Sequence, residues 1–239
     1  GRAQVFQDPF FAAKFPDEAF HNIETKELWR DNRGILWLKP NSEKVWQYVS
    51  AIAADAYLQG FDEINVDYVR FPSDGKLSLL DRSDMTQTRA ETIADFFSYI
   101  DEHIRQQGIV LSADVFGLTL TVHNDLGIGQ QLELIAPHVD YVCPMIYPSH
   151  YWAGSFGFER PAEHPYEIIH HALDDGIKKL AAVSIPSTKL RPWLQDFDLL
   201  GVPYTAEMVT AQITASDELG VHSWLLWDPR NYYTVDALR

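Results

Sequence analysis

Two aspartates stand at the ends of short segments in which apolar and polar residues alternate. Asp67 closes the segment 61–67, and Asp114 holds the equivalent place in the segment 109–115. Neighbouring β-strands lie about 5 Å apart, so carboxylates at two such strand ends could flank one bond. Glycoside hydrolysis needs a carboxyl pair, one as proton donor and one as base or nucleophile, roughly 5–5.5 Å apart for retention and 6.5–9.5 Å for inversion. The structural alternatives are that Asp67 pairs with Arg70 to hold a loop and that Asp114 is a hydrogen-bonded core residue.

Polar and aromatic side chains near the other strand ends could bind a sugar. Aromatic rings pack on sugar rings, while hydroxyl, amide, imidazole and carboxylate groups hydrogen-bond to sugar hydroxyls. The candidates for substrate contact are Asp8, Arg70, Tyr147, His150, Tyr151, Trp193, Gln195, Asp196 and Trp227. Asp196 is also an alternative acid in place of Asp114, and structural roles stay open for the whole set. Cys143 is expected to be a buried core thiol, because no base lies near it in the sequence.

Helix and strand patterns alternate along the chain. Apolar residues at helical spacing predict helices over 43–59 and around 93–104, 128–136, 168–173 and 208–213. Strands are predicted at 61–67, 109–115, 139–146, 189–195 and 221–227, with a further strand end at 4–6. Such repeats indicate parallel pairing through right-handed crossovers, hence a doubly wound sheet or a barrel.

The residues within the strands favour the barrel. Ile64 and Val66 share one face of their strand, and Asn65 and Asp67 share the other, whereas a sheet covered on both faces is apolar throughout. We therefore predict an α/β fold of the (β/α)8 TIM-barrel type with a polar lumen. Long loops follow the strands, on the face where barrel enzymes build their active sites. Because about six units are recognisable, we expect residues 1–239 to form a single barrel domain that lacks its first two or three β/α units, rather than one with strands hidden at 77–80 and 181–185.

Composition narrows the classes of partner. The 239 residues include 19 Lys+Arg and 34 Asp+Glu, a formal net charge of -15, which argues against nucleic acid or an anionic membrane as partner. No segment is apolar enough for membrane insertion, and no phosphate-binding or covalent-cofactor motif occurs, so no cofactor is expected. A metal site from Asp114, His123 and His150 is conceivable, but no tight ligand spacing supports it, and no metal is expected. The lone Cys143 excludes an internal disulfide without deciding the compartment.

Several segments resemble a family of glycosyl-hydrolase-like bacterial (β/α)8-barrel proteins. The segments that carry the resemblance are 60–75, 6–9, 28–30, 112–117, 144–151, 191–196 and 225–227. The resemblance implies kinship with amylase-like barrels, with Asp8 following the third strand, Asp67 ending the fourth and Asp114 ending the fifth. In amylase-like enzymes the fourth strand carries a nucleophilic Asp and the fifth a Glu acid. This chain has Asp114 in place of that Glu.

The resulting hypothesis is hydrolysis of a glycosidic bond in a bacterial polysaccharide or envelope glycan. Asp67 is expected to be the nucleophile or charge stabiliser and Asp114 the acid/base, with carbohydrate as the partner and an extracytoplasmic location. Two alternatives remain open: a carbohydrate-binding barrel without catalysis, and a metal-assisted polysaccharide deacetylase. Fold kinship alone does not decide among them.

Overall fold

A computed structural model describes residues 1–199 and 201–238 of the chain, in which helices and six parallel strands alternate. The strands are β1 (Arg2–Gln4), β2 (Glu63–Asp67), β3 (Val110–Phe116), β4 (Tyr141–Ile146), β5 (Trp193–Gln195) and β6 (Leu225–Trp227). The α-helices are α1 (Pro9–Lys14), α2 (Glu43–Leu58), α3 (Arg89–Arg105), α4 (Leu132–Ile135), α5 (Pro165–Ala182) and α6 (Ala206–Glu218). The chain folds into two units, one of residues 1–114 and 124–140 and the other of residues 115–123 and 141 onward.

The first unit is built on strands β1, β2 and β3, which pair in parallel in chain order. Asn65 lies beside Ser112 in the register, so the polar residues of both strands share one face. The opposite face carries fully buried apolar residues such as Val66 and Ala113, and α2 contacts both β2 and α3. Ser42 caps α2 by accepting the Val45 N–H, so the helix starts where its apolar stripe begins.

The second unit contains the parallel strands β4, β5 and β6, packed against α5 and α6. The turn at 117–120 lies so close to α5 that a Cβ on Gly176 would stand 2.8 Å from a Leu120 methyl carbon. Lys179, also on α5, is buried and donates to the carbonyl oxygens of Thr119 and Val122 at 2.7 and 2.6 Å. These bonds satisfy a buried ammonium group and fix the segment that follows β3 onto α5.

The structure confirms the alternation of helices with parallel strands and the polar face of β2 and β3. Several helices and strands begin or end at residues other than those predicted. Strand β1 covers Arg2–Gln4, and the Val5 N–H still donates to the Asp67 carbonyl oxygen at 2.9 Å, so the chain leaves the sheet within the strand end predicted at 4–6. Strands β5 and β6 are shorter than predicted, and the helix expected around 128–136 has one α-helical turn, α4, before Pro137. Residues 77–79 form a 3-10 turn and α5 continues through Ala182, so neither segment hides a strand. The single-domain assignment and the missing barrel units stay predictions.

Candidate active site

Asp67 and Asp114 lie side by side on the polar face of the first unit, and one arginine binds both. The register pairs Val66 with Ala113, so the next residues of β2 and β3 are the two aspartates. The Arg2 Nε donates to Asp114 Oδ2 at 3.2 Å, and an Nη of the same guanidinium pairs with Asp67 Oδ2. Asp67 is 5% and Asp114 1% exposed, whereas the Arg2 side chain is 41% exposed. A single half-exposed cation thus closes over two buried carboxylates.

A polar network below the arginine holds Asp114. The Asn65 side-chain amide donates to Asp114 Oδ1 and to Ser112 Oγ, each at 3.0 Å, and Ser112 Oγ donates to Glu63 Oε1 at 2.6 Å. Both carboxylate oxygens of Asp114 therefore accept hydrogen bonds within the protein, and its side chain has no solvent-exposed surface. This arrangement fixes Asp114 as a rigid support for Arg2.

Asp67 has a different environment. Its Oδ1 accepts the backbone N–H of Tyr68 at 2.7 Å, and Tyr68 has a left-handed conformation with φ of 56°, which few non-glycine residues adopt. Burial raises the pKa of the Asp67 carboxyl above its ordinary value, although the charges of Arg2 and Arg70 and the Tyr68 N–H act in the opposite direction. A carboxyl with a raised pKa keeps its proton to higher pH, as a general acid must.

Arg70, the cation expected near Asp67, is itself buried. Its guanidinium lies over the Trp37 ring, 4.8 Å from the centroid, and donates to the Phe71 carbonyl and to Ser73 Oγ at 3.1 and 3.2 Å. Burial lowers the pKa of Arg70, while nearby anionic groups, Asp67 among them, act in the opposite direction. Arg70 therefore supplies positive charge to the surroundings of Asp67 and also holds the loop after β2.

Asp8 caps a helix. Its Oδ1 accepts the backbone N–H groups of Phe10 and Phe11, both at 2.9 Å, at the start of α1, and its Oδ2 accepts the Tyr48 hydroxyl at 3.2 Å. An N-cap of this kind satisfies helix donors that would otherwise lack partners. The structure therefore gives Asp8 a structural role, and its predicted substrate contact would have to compete with these bonds.

The second unit gathers the predicted aromatic residues into two groups. Tyr147 and His150 lie 5.4 Å apart between ring centroids and line a cavity of about 340 Å³ together with Tyr151. Tyr151 is buried, and its hydroxyl has no hydrogen-bond partner among the described residues. Trp193 and Trp227 form the other group, an edge-to-face pair with centroids 5.7 Å apart.

Two of the predicted contact residues in the second unit are committed to internal bonds. Gln195 has no exposed surface, accepts the Ser149 N–H and hydroxyl at 3.1 and 2.8 Å and donates to the Phe197 carbonyl at 2.8 Å. Asp196 is 4% exposed and accepts the Thr234 hydroxyl and N–H at 2.6 and 2.7 Å. In this structure they hold loops in place and present no free polar group to a ligand, so neither the sugar-contact role nor the alternative-acid role gains support.

The sequence reasoning missed Arg2, the residue that joins the two aspartates. The sequence predicts only a strand end at 4–6 and assigns no place in the sheet to Arg2, whereas the observed register puts Arg2 beside Asn65 on the polar face. Side chains alternate along β1 as they do along β2, so Arg2 and Gln4 lie on the same face of their strand. Pairing that strand with β2 would have placed Arg2 on the polar face.

Metal binding would need several His, Cys, Asp or Glu side chains close to one point among the residues that the structure describes. No three His, Cys, Asp or Glu side chains in that part of the chain converge on one point, and Asp114 is held by Arg2 and Asn65. The deacetylase alternative gains no support from the side-chain arrangement. None of the helices described is long and apolar enough to cross a lipid bilayer.

The fold is similar to that of glycoside hydrolase barrels. The glycoside hydrolase domain of PgaB (BpsB) from Bordetella bronchiseptica matches with a TM-score of 0.63 at 14% identity, covering 95% of this chain and 69% of that one. A class V chitinase from Pseudomonas fluorescens Pf-5 matches with a TM-score of 0.57 at 13% identity, covering 84% and 74%. A hypothetical protein from Ruminiclostridium thermocellum ATCC 27405 is 37% identical over 48% of this chain, with a TM-score of 0.42, and the match spans 57% of that protein.

Family membership follows from the sequence as a whole. Residues 1–233 match the family described as "Putative glycosyl hydrolase domain", and the chain belongs to that family. No curated protein matches the chain.

Proposed function

We propose that the protein hydrolyses glycosidic bonds in a polysaccharide or envelope glycan, with Asp67 as the proton donor. The observation that supports this most directly is the carboxylate pair on β2 and β3, which shares the guanidinium of Arg2. Family membership supports the reaction class, and a carboxyl group that can donate a proton is one requirement of that chemistry. The alternation of helices with six parallel strands among the described residues also supports a (β/α)8 barrel, and an extracytoplasmic location stays a prediction.

The two aspartates differ in what surrounds them, and we assign them different roles. The raised pKa of Asp67 suits a general acid that protonates the leaving oxygen as the glycosidic C–O bond breaks. Arg2 would stabilise the carboxylate that remains until a water molecule adds to the anomeric carbon and returns a proton to Asp67. Asp114 is covered on all sides and bound through both oxygens, so we assign it a positioning role through Arg2. This assignment differs from the roles expected in the sequence analysis, in which Asp67 was the nucleophile or charge stabiliser and Asp114 the acid/base.

Carbohydrate contacts come from side chains that remain accessible or line a cavity. Tyr147, His150, Trp193 and Trp227 supply ring faces and polar tips suited to sugars. Amino-sugar polymers are the first substrates to test, because the structural relatives include chitinases and a spore cortex-lytic enzyme.

The test compares Asp67→Asn with Asp114→Asn on chitin oligosaccharides, deacetylated glucosamine polymer and peptidoglycan, with products identified by mass spectrometry. We expect Asp67→Asn to lower kcat by about 10²–10⁴-fold, the usual contribution of a positioned acid. Asp114→Asn should keep measurable turnover, and the alkaline limb of its pH profile, which reports the loss of the Asp67 proton, should be displaced. Asp101→Asn, which removes an exposed carboxylate on α3, is the matched control and should leave kcat unchanged. Full activity of the Asp67 variant would refute the assignment.

A carbohydrate-binding protein without catalysis is the second candidate. It is favoured by the closure of both carboxylates under Arg2, which leaves only 5% of Asp67 exposed. This function predicts calorimetric binding of an oligosaccharide without any product after prolonged incubation. Product release by the wild-type protein but not by Asp67→Asn would exclude it.

A further inference from the structure

A second concave surface of the first unit carries two arginines that share one cavity. The cavity has a volume of about 650 Å³. Its polar lining residues are Arg82, Gln87, Thr88, Arg89, Asp125 and Gln131. This size falls within the range of roughly 300–1,000 Å³ that small-molecule sites occupy.

The positive charge in this cavity is only partly compensated. Within residues 1–199 and 201–238, neither Arg82 nor Arg89 forms an ion pair within 4.0 Å. Burial lowers the pKa of Arg89, and the charge of Arg82 lowers it further, whereas Asp125 raises it. Asp125 is the one carboxylate of the lining, and its Oδ1 already accepts the Gly127 N–H at 3.0 Å. In a chain of net charge -15, two neighbouring cations without a direct counterion call for a specific explanation.

The cavity wall is held firmly by backbone contacts. The Phe71 N–H donates to the Ile128 carbonyl at 2.8 Å, and the guanidinium of Arg89 lies 5.9 Å from the centroid of the Phe71 ring. Gly129 approaches the start of α3 so closely that a Cβ there would stand 2.8 Å from the Arg89 carbonyl oxygen. The site is therefore preorganised, which lowers the entropy cost of binding a ligand.

We propose that Arg82 and Arg89 form a binding site for an oxyanion, either a free anion or the carboxylate of an acidic sugar. Guanidinium groups present forked N–H donors that match carboxylate and phosphate oxygens, and an anion between them relieves their mutual repulsion. The Gln131 side chain adds an amide at the rim, and the volume leaves room for a monosaccharide attached to the anion. This proposal does not depend on the hydrolase assignment, because it uses neither Asp67 nor Asp114.

The test is isothermal titration calorimetry of the full chain with inorganic phosphate, glucuronate and glucose. Glucuronate and glucose differ only in the carboxylate, so the pair isolates the contribution of the charge. We expect saturable binding of phosphate or glucuronate, weaker binding at high salt, and no binding of glucose. Arg82→Gln and Arg89→Gln should each weaken the affinity about 10–100-fold, the effect of losing one charge-assisted contact.

Two further variants keep the result interpretable. Arg105→Gln removes an exposed arginine from the other end of α3, where it pairs with Asp101, and should leave anion affinity unchanged. Arg89→Lys keeps the charge in a foldable protein and should retain part of the affinity. Binding of phosphate alone identifies a free anion as the ligand, and binding of glucuronate identifies an acidic sugar. Equal affinity in the Arg82, Arg89 and Arg105 variants, equal binding of glucose, or no saturable binding of either anion would overturn the proposal.

Discussion

Replacing Arg2 by Gln should raise the pKa of Asp67 further. The guanidinium contacts the Asp67 carboxylate directly, and two unit charges about 4 Å apart interact by about 4 kcal/mol at an effective dielectric constant near 20. The Arg2 side chain is 41% exposed, so solvent screening reduces this value, and we take about 1.4 kcal/mol as the remaining interaction. That energy corresponds to an increase of about one pKa unit. Arg70 keeps its charge in the variant and limits the change.

The assay is a ¹³C NMR titration of the aspartate carboxyl carbons, with Asp67→Asn used to assign the Asp67 signal. The charged groups that face Asp67 are Arg2 on β1, Asp114 on β3 and Arg70 in the following loop, so the titration is recorded for Asp114→Asn as well. Arg105→Gln provides the control for a general loss of positive charge. An unchanged or lowered pKa of Asp67 in Arg2→Gln would refute the electrostatic role of Arg2.

Arg2→Gln should also change how the stability of the folded protein depends on pH. The folded pKa of Asp67 is raised, so the stability that this group contributes is fully present below the unfolded value and is lost as pH rises through the folded pKa. Removing Arg2 raises the folded pKa again and leaves the ionised Asp67 with less compensation. The difference in Tm between wild type and Arg2→Gln should therefore be smallest below the ordinary pKa of an aspartyl group, where Asp67 is protonated in both proteins, and larger at neutral pH. A pH-independent difference would contradict this reasoning.

Two further predictions concern residues that shape the units. Gly129→Ala places a Cβ 2.6 Å from Ile93 Cγ1 at a φ of 86°. Urea unfolding should therefore show a loss of about 2–4 kcal/mol in the free energy of unfolding. Gly127→Ala, whose Cβ would have nothing within 4 Å, should show a smaller loss. Equal losses would contradict the close approach. Gln195→Ala removes the acceptor of two Ser149 hydrogen bonds and leaves a buried cavity. The same measurement should show a loss of about 2–4 kcal/mol in the free energy of unfolding. Wild-type stability of this variant would show that the amide does not hold the Ser149 loop.

The polar face that carries the two aspartates follows from the alternation of side chains along a strand, which depends only on local geometry. Side chains alternate along a strand, so Asn65 and Asp67 had to share a face, as did Ser112 and Asp114. Parallel pairing then required the two polar faces to coincide. The pair of aspartates could be placed on one surface without knowledge of any long-range contact.

The alternation of side chains along a strand predicts the face on which a side chain lies. It predicts neither how deeply the side chain is buried nor which residues it contacts. Gln195 shares a register pair with Trp227, yet it is fully buried because Ser149 folds onto its amide from a segment 46 residues away. Arg2 lies in a strand of three residues, which is too short to show a period by itself. Its pairing with β2 is what places it on the polar face. Contacts between residues far apart in the chain decided both roles.

The net charge of the chain is a poor guide to the individual sites. At physiological ionic strength the Debye length is about 8 Å, so most of the excess surface carboxylates are screened from any one cavity. The local arrangement then decides the potential: Arg2 is compensated by two buried aspartates, whereas Arg82 and Arg89 share a cavity with the single carboxylate of Asp125. The first arrangement holds the two aspartates in place, and we propose that the second leaves positive charge available to an anion. An acidic protein can therefore exclude nucleic acid through its overall field and still bind a small anion at one place.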